Sequence, residues 1–489
     1  MAFWNRRRSI DAMLAPHEGP ALKKTLGWPH LMALGVGAIV GTGILTLTGV
    51  GAAKAGPAVL LSFAIAGLIC AAAALAYAEM ATMIPASGSA YTYTYVVIGE
   101  LLAWIIGWSL ILEYSLVVSA VAVGWSGYAS PLLLEWLHFP EWLTHAPVVA
   151  GSILDGSFRI AEAGLNIPAI AIIALVAGML IYGTRESATV NAVLVAVKML
   201  ALVVFVAVTL PYFDSAHFDP FMPYGFPKHS IMGPDGKPVE VGVMAAAAII
   251  FFAFYGFDAI ATAAEETKNP GRDLKIGIVG SMVACVLIYL AVAGAAVGAI
   301  SYTRFANSPE PLALILREIG QPLAAKYLAV SAVIALPTVI LAFFYGQSRI
   351  FFVMARDRLL PPSLAKVSGR GSPVRITLFT AVVVALLAGL IPLDELAALA
   401  NAGTLTAFMA VALCMLIMRR RAPDMERKFR TPAAWLVGFV AIFGCAYLFY
   451  SLPRTTQIYF LCAHVVGLAI YFLYGSRKSV AGREAGTAA

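Results

Sequence analysis

Long apolar segments dominate the chain, and short polar connections separate most of them. Windows of about 20 apolar residues, enough to cross a bilayer as a helix, predict twelve membrane spans. The span centres lie near positions 41, 71, 115, 175, 199, 252, 288, 338, 383, 408, 442 and 465. The pattern therefore predicts an all-α membrane protein whose two ends lie on the same side of the bilayer.

Composition and charge agree with this pattern. Hydrophobic residues make up 61% of the 489 residues and charged residues 12%, against about a quarter in soluble domains. By the positive-inside rule both termini are cytoplasmic, because basic residues cluster before span one and after span ten: Arg6, Arg7, Arg8, Lys23, Lys24, Arg419, Arg420, Arg421, Arg427, Lys428 and Arg430. The net charge of +7 then reflects topology in the cytoplasmic membrane, and no nucleic-acid partner is expected.

One membrane domain, residues 26–476, is predicted between polar tails at 1–25 and 477–489 that lack apolar periodicity and are expected to be disordered. The polar and aromatic segment 85–100 predicts a short helix at the cytoplasmic surface between spans two and three. The cysteines fall in apolar spans without CxxC spacing and are interpreted as buried apolar residues: Cys70, Cys285, Cys414, Cys445 and Cys462. Neither a disulfide nor a metal site is expected.

Glycines interrupt two of the spans. Span one contains GVGAIVGTGI and span six contains FFAFYGFDA, and each is the first helix of a five-span unit if spans one to five and six to ten form two halves. Paired interrupted helices mark the midplane site of transporters, since unwinding frees N–H groups for an anion and C=O groups for a cation. An α-amino acid carries both charges. The alternative is that these glycines only permit close helix packing.

Four motifs together resemble the cationic amino acid transporter family of the amino acid–polyamine–organocation (APC) superfamily. They are GVGAIVGTGI, PASGSAYTYTYVVIGELLAWIIGWSLILEY, FFAFYGFDAIATAAEETKNP and YGQSRIFFVMARDRLLP, and the resemblance, to a bacterial member, covers about residues 25–475. It implies a LeuT-type five-plus-five inverted repeat with two extra C-terminal helices. The first repeat is expected at about 26–211, the second at about 241–420 and the extra helices at about 432–474.

The resemblance also implies a substrate site on the two broken spans. On span one, Thr42 and Gly43 are expected to hold the substrate carboxylate, while the carbonyl of Ile39 faces the substrate ammonium. On span six the corresponding carbonyls belong to three residues of the motif: Phe252, Ala253 and Tyr255. The ring of Phe252 is also the expected gate over a bound substrate.

Lys198 lies near the middle of the apolar run of span five, about 15 Å from either membrane surface and too deep to snorkel easily. Its cost of insertion suggests a lysine that faces the protein interior and can lose its proton. The resemblance places it where sodium-coupled relatives hold their cation, between spans one, five and eight. That position implies proton coupling, with charged Lys198 bonded to span-one carbonyls. The alternative is a permanently charged brace.

Other acidic residues are candidates for the same coupling. Glu113, centred in span three, either shares a proton network with Lys198 or with the broken part of span six, or only orders the bundle. Asp258 follows the span-six break, where capping of the second half-helix explains it equally well. Glu265 and Glu266 are interpreted as interfacial charges or as part of an inner gate.

The predicted pocket wall on span eight reads ILAFFYG, and Phe343 is its expected floor. A phenyl ring there shortens the cavity, which favours symport of small neutral L-amino acids such as alanine; cationic amino acids, or exchange, remain the alternatives. The expected partners are the amino acid, protons and membrane lipids, with no cofactor beyond the proton and an accessory subunit left open.

One motif is typical of a different class of protein, the intramembrane serine proteases. GWSG matches a serine-protease pattern around Ser126, which needs a histidine on a neighbouring helix. His464 is the histidine that falls within a span, and span twelve lies outside the expected ten-helix core. The sequence therefore favours a transporter over an enzyme.

Overall fold

The computed structural model describes residues 6–7, 26–86, 88–138, 140–150, 159–182, 188–232, 238–264, 267–306, 308–365 and 374–480. Most of both predicted tails lies outside these residues, and so do Glu265 and Glu266 with their predicted inner gate. Two residues of the N-terminal tail are held in place. Arg6 donates from Nη1 to the Ser476 carbonyl at 3.0 Å, and Arg7 donates from Nε to the Ile98 carbonyl at 3.1 Å.

The predicted all-α membrane architecture is confirmed. Within the described residues, nine helices are long and apolar enough to cross a membrane, and three shorter apolar helices account for the remaining predicted segments. In chain order the span helices are Trp28–Ile39, Thr42–Leu45 and Leu47–Ala55 (span one), Val59–Met83, Glu100–Leu137, Ile167–Tyr182, Ala188–Thr209, Val243–Ile250 and Asp258–Thr262 (span six), Pro270–Ala299, Pro322–Arg356, Val374–Leu390, Leu393–Arg421, Ala434–Ser451 and Arg454–Ile470.

We call the face at which span one begins and span twelve ends the terminal face. The connections on the opposite face carry short helices, Tyr302–Phe305 and Pro311–Glu318, and two antiparallel hairpins. The hairpin strands are Val148–Ala150 with Arg159–Glu162 and His229–Met232 with Pro238–Val241. Span twelve continues through a π-helical turn, Tyr471–Gly475, into Ser476–Lys478.

A connecting helix on the terminal face, Ser89–Val97, occupies the segment where a surface helix is predicted. It is buried along its whole length rather than lying on the surface, because it packs against spans three and ten. Its tyrosines bond inward. The hydroxyl of Tyr91 donates to Asp357 Oδ2 at 2.7 Å, and that of Tyr95 donates to Glu100 Oε2 at 3.2 Å.

The cysteine interpretation holds for four of the five residues. Cys70, Cys285, Cys414 and Cys445 are buried, whereas Cys462 is exposed on the outer side of span twelve. A peripheral helix has an outward face that packs against no other span, and Cys462 lies on that face.

Span twelve is attached along span three by a ladder of hydrogen bonds. Each step advances four residues on span three and goes back four on span twelve, which is the spacing of one face in an antiparallel helix pair. The bonds, of 2.9 to 3.0 Å, join the Tyr471 hydroxyl to Glu100, the Trp104 indole to the Gly467 carbonyl and the Trp108 indole to the Ala463 carbonyl. The extra C-terminal helix is therefore fastened to a helix of the transporter core.

Some of the arginines from which the topology is predicted also form buried ion pairs. Arg419 forms a bidentate pair with the buried carboxylate of Glu79 on span two, through Nε at 2.7 Å and Nη2 at 2.6 Å. Arg427 lies with Nε 3.3 Å from the same carboxylate, and the Thr431 amide donates to it at 2.8 Å. The loop after span ten is therefore fastened to the end of span two.

Spans one and six lie inside the bundle. Span seven packs against spans one and two, while span three packs against spans eight and ten. In span six, 94% of the apolar window Val243–Thr262 is buried. Burial of this kind is required of any interrupted helix in a bilayer, because its free backbone groups find no water in the hydrocarbon core.

Candidate functional site

The helix of span one is interrupted at Val40 and Gly41. The first segment ends at Ile39, and the Val40 amide makes the last regular bond, to the Val36 carbonyl at 2.8 Å. Gly41 is extended, with φ −144° and ψ −148°, and the helix resumes at Thr42. Each helix end leaves backbone groups without an intrahelical partner, so carbonyls face one side of the break and amides the other.

Span six is interrupted directly beside span one. A 3-10 turn, Phe251–Ala253, ends its first half, and the helix resumes at Asp258. Gly256 lies between them with φ 124°, a conformation that side chains rarely adopt, and a Cβ atom there would lie 2.9 Å from the Ala38 carbonyl carbon.

Gly43 produces the closest approach of the two spans. A Cβ atom on Gly43 would lie 2.3 Å from the Cα atom of Ala253. The glycine is thus required for contact between the two backbones. The sequence motif predicts that Gly43 holds the substrate carboxylate, and the structure adds a packing reason that the motif does not reveal.

Lys198 caps the broken end of span one. Its Nζ atom donates to the carbonyl of Gly37 at 2.9 Å and to the carbonyl of Val40 at 3.3 Å, and the residue is 4% exposed. An ammonium group supplies three donors and no acceptor, which suits carbonyls that have lost their amide partners. The spacing of span five alone does not reveal this contact, because it depends on where span one breaks.

The two breaks line one small cavity. Its lining includes most of the predicted substrate residues: Ile39, Thr42, Gly43, Phe252, Tyr255 and Phe343. Ala253 does not line it and lies behind Gly43 instead, because the side chain of Ala253 faces the packed contact between the two spans.

Sequence reasoning missed several residues of the cavity wall: Ala38, Gly41, Val117, Val121 and Val339. A helical repeat could have found three of them. Val117 and Val121 follow Glu113 at intervals of four on one face of span three, and Val339 precedes Phe343 by four on span eight. These valines make the side-chain end of the cavity apolar.

Two buried side chains satisfy carbonyls near the breaks. The hydroxyl of Tyr289, on span seven, donates to the Ile39 carbonyl at 2.9 Å. A carbonyl has two lone pairs, so one remains for the predicted ammonium contact. On span six, Asn401 donates from Nδ2 to the carbonyls of Ala248 at 2.7 Å and Ile249 at 3.0 Å.

Aromatic rings close two sides of the cavity. Phe252, 5% exposed, meets the ring of Tyr255 edge-on with centroids 5.1 Å apart. The ring of Phe343 lies 5.3 Å from that of Tyr114 and 6.2 Å from that of Tyr255. Phe343 thus separates the cavity from the buried polar residues beyond these tyrosines.

Those polar residues include two acids. Asp258 accepts a hydrogen bond from the Tyr114 hydroxyl at 2.8 Å and another from the Gly256 amide at 3.1 Å. It is the first residue of the resumed helix rather than its cap, and its carboxylate reaches back to the break. Glu113 is 1% exposed, lies within electrostatic range of Asp258, and has no hydrogen-bond partner of normal geometry for either oxygen. Glu113 therefore has an acidic neighbour on span six and a hydroxyl neighbour, Thr404, on span ten.

The serine of the GWSG motif is not paired with a histidine. Ser126 lies within hydrogen-bond distance of Asn166 Oδ1 at 2.7 Å and of Ser130 Oγ at 3.3 Å. His464 instead lies 2.8 Å from Ser109 Oγ. The side chains around Ser126 form a polar packing contact between spans three and four, and Gly124 of the motif packs against Thr42.

Known proteins resemble this chain over almost its whole length. The family model described as amino acid permease matches residues 26–470. The branched-chain amino acid permease BcaP of Bacillus subtilis is 43% identical over 97% of this chain and 98% of its own. The methylthioribose transporter of the same organism is 39% identical over 97% and 98%. The vacuolar cationic amino acid transporter 4 of Arabidopsis thaliana is 34% identical over 86% of this chain and 67% of its own.

These relatives are named as permeases and transporters. Their names agree with the site, which is built from backbone groups. Its described residues include no paired nucleophile and base. The broken first helices of the two halves are those of the LeuT fold, which the APC superfamily shares. The chain therefore belongs to the amino acid permease family, as an integral membrane transporter and not an enzyme.

Proposed function

We propose that the protein is a proton-coupled symporter of neutral L-amino acids in the cytoplasmic membrane, with both termini in the cytoplasm. The observation that carries this proposal is the cavity between the breaks of spans one and six, which joins backbone groups of both polarities to an apolar wall. On this proposal the terminal face is cytoplasmic, as the basic residues near the chain ends predict.

The ends of the cavity suit a zwitterion. The amides at Thr42 and Gly43 open the resumed helix of span one and offer donors to a carboxylate. The remaining lone pair of the Ile39 carbonyl, with the carbonyls of Phe252 and Tyr255, offers acceptors to the ammonium group. The ring of Phe252 then acts as the gate, since it already covers one side of the cavity.

The side-chain end favours aliphatic substrates. Val117, Val121, Val339 and Phe343 offer no hydrogen bonds to a side chain, so an alkyl group is the complementary ligand. Alanine fits this wall, and the relative named for branched-chain amino acids extends the candidates to valine, leucine and isoleucine.

A second candidate class is cationic amino acids. Relatives of this name are similar to the chain, and the buried carboxyl group of Glu113 lies within electrostatic range of Tyr255, which lines the cavity beside the ring of Phe343. A cationic side chain would have to pass this phenyl ring to reach the carboxylate. The side chain of a neutral amino acid need not pass this ring, so neutral amino acids are the proposed substrates.

Coupling to protons is assigned to Lys198. Charged Lys198 bonds to the carbonyls of Gly37 and Val40 and holds the broken end of span one in its present position. Loss of the proton removes a positive charge and one donor, which weakens this cap and allows span one to move. Deprotonation is thereby linked to the geometry of the substrate site at Thr42 and Gly43.

The function is tested by uptake into proteoliposomes with an inward proton gradient. We expect labelled alanine and leucine to accumulate above equilibrium and unlabelled arginine to compete weakly, because the side-chain end of the cavity is apolar. If accumulation occurs only when the proteoliposomes are preloaded with amino acid, the protein is an exchanger instead. If arginine displaces both labelled substrates at the lowest concentration of any amino acid tested, the cationic candidate is correct.

Lys198→Ala is expected to abolish gradient-driven accumulation while leaving substrate binding measurable, since the backbone site on spans one and six remains. Lys326→Ala, which removes an exposed lysine of span eight, is the matched control and should behave as wild type. The measurement is accumulation with and without a pH gradient, beside a thermal-shift titration with alanine. Gradient-dependent accumulation by the Lys198 variant at the wild-type level would disprove the assignment.

Gly43→Ala is expected to impair transport strongly, because its methyl group would overlap backbone atoms of Ala253, which cannot rotate away. Overpacking of this kind costs about 1 to 3 kcal/mol, and here it destabilises the contact between the two broken spans. Gly178→Ala is the control, since a Cβ atom at that position meets nothing within 4 Å. Equal substrate affinity in the folded Gly43 variant and wild type would rule out this contact as part of the site.

Phe343→Ser is expected to shift selectivity toward longer side chains, since it removes a ring volume on the order of 100 Å³ from the floor of the cavity. Arginine should gain over alanine by about 1 to 3 kcal/mol, the scale of simple pocket discrimination. Phe352→Ser, on the same helix at a 40% exposed position, is the control. Competition of arginine against labelled alanine measures the ratio, and an unchanged ratio would remove Phe343 from the pocket.

A further inference from the structure

Several buried polar groups without hydrogen-bond partners lie between the terminal face and the cavity. The hydroxyls of Ser89, Tyr93, Tyr77 and Tyr255 and both carboxyl oxygens of Glu113 have no partner of normal geometry. The five residues are between 0% and 2% exposed. Buried polar groups are rarely left unsatisfied, since each costs about 1 to 3 kcal/mol. Several of them in one region therefore require a common explanation.

The groups follow one another through the protein. Ser89 opens the connecting helix at the terminal face, and its hydroxyl lies close to that of Tyr77. The rings of Tyr77 and Tyr93 have centroids 6.3 Å apart. Tyr77 is in turn within electrostatic range of Glu113. Glu113 is within electrostatic range of Tyr255, and Tyr255 lines the cavity. We call these five residues the hydroxyl column.

Apolar rings surround the middle of the hydroxyl column. The ring of Tyr77 meets Phe257 at 5.5 Å and Phe408 at 5.2 Å, both edge-on. These rings offer no acceptor, so the Tyr77 hydroxyl must turn toward the other polar groups. A narrow polar path inside an apolar sleeve is suited to bound water, which bridges buried groups of this kind.

The start of the hydroxyl column is also unusual in its backbone. Ser89 has φ 49°, in the left-handed region that costs a residue with a side chain about 1 to 2 kcal/mol. Gly88 before it gives no room for a side chain, since a Cβ atom would overlap the Thr92 hydroxyl. The packing around the connecting helix therefore holds Ser89 in this conformation.

We propose that the hydroxyl column is a water-bridged proton path between the terminal face and Glu113, with Tyr77 and Tyr93 as its relay groups. The proposal rests on the proton coupling proposed above, takes Glu113 as a second proton site beside Lys198, and adds the route by which a proton reaches or leaves the membrane interior. Each hydroxyl accepts a proton on its oxygen and releases its own to the next oxygen or water. No tyrosine changes its charge overall, and the transferred proton ends on the carboxylate of Glu113.

Glu113 is suited to be the inner end of the path. Asp258, its acidic neighbour from span six, is already held by Tyr114 and the Gly256 amide, whereas neither oxygen of Glu113 has a hydrogen-bond partner of normal geometry. Titratable groups in electrostatic range of Glu113 include Tyr77, Tyr114 and Tyr255. Span ten contributes the neutral hydroxyl of Thr404.

Tyr77→Phe and Tyr93→Phe test the path, because each removes one hydroxyl and keeps the ring. Two rates are compared in proteoliposomes: net uptake driven by a pH gradient, and counterflow of labelled against unlabelled alanine without a gradient. We expect each variant to lower the first rate relative to the second by about a hundredfold, the lower end of the range for a positioned proton-transfer group. Tyr447→Phe, at a 45% exposed position, should leave the ratio unchanged.

The outcomes separate the path from the coupling itself. If wild type shows no uptake driven by the pH gradient, the proposed symport is wrong, whatever the variants do. If wild type is coupled and both variants keep its ratio of net uptake to counterflow, the path is wrong and the tyrosines only pack. A merely structural role would lower both rates together, so an unchanged ratio in slow variants also overturns the proposal. The solvent deuterium isotope effect on net uptake should increase in the variants.

Discussion

The need to satisfy backbone groups inside a membrane governs this structure. A helix that unwinds at the bilayer midplane exposes carbonyls and amides that cost several kcal/mol each if left alone. Lys198 meets this need for Gly37 and Val40, Tyr289 for Ile39, and Asn401 for Ala248 and Ile249. The breaks in spans one and six are stable because three other helices supply these donors.

This requirement connects the site to its surroundings. The donors on spans five, seven and ten hold one side of each break, which leaves the other side for a ligand. On the proposed coupling, Lys198 is the donor that loses a proton during transport, whereas Tyr289 and Asn401 keep their donors. A carrier needs such a difference, because a site held entirely by permanent donors would have one position, whereas alternating access requires two.

Contacts outside the two breaks fasten peripheral segments to the helices of the site. Glu79 with Arg419 and Arg427 ties the end of span two to the loop after span ten, and the ladder from Glu100 to Ala463 ties span twelve to span three. Span three carries Glu113, Tyr114 and two wall valines, so a helix outside the repeats braces a helix of the site. The arginines near the end of span ten and the C-terminal helix of span twelve therefore have structural functions.

The sequence by itself determined the membrane class, the twelve spans, the paired breaks and most of the cavity residues. The membrane class, the spans and the paired breaks follow from local chemistry, namely apolar length and glycines at matching positions. The cavity residues follow from the resemblance of the motifs to a known family. Only the tertiary structure decided which groups meet. The sequence identifies Gly43 as a glycine of the break, but it does not show that Ala253 packs against it. Nothing near Ile39 in the chain predicts that Tyr289 donates a hydrogen bond to its carbonyl. Partners 150 or more residues apart in the chain, such as Lys198 with Gly37 and Asn401 with Ala248, leave no periodic signal, because helix packing brings them together.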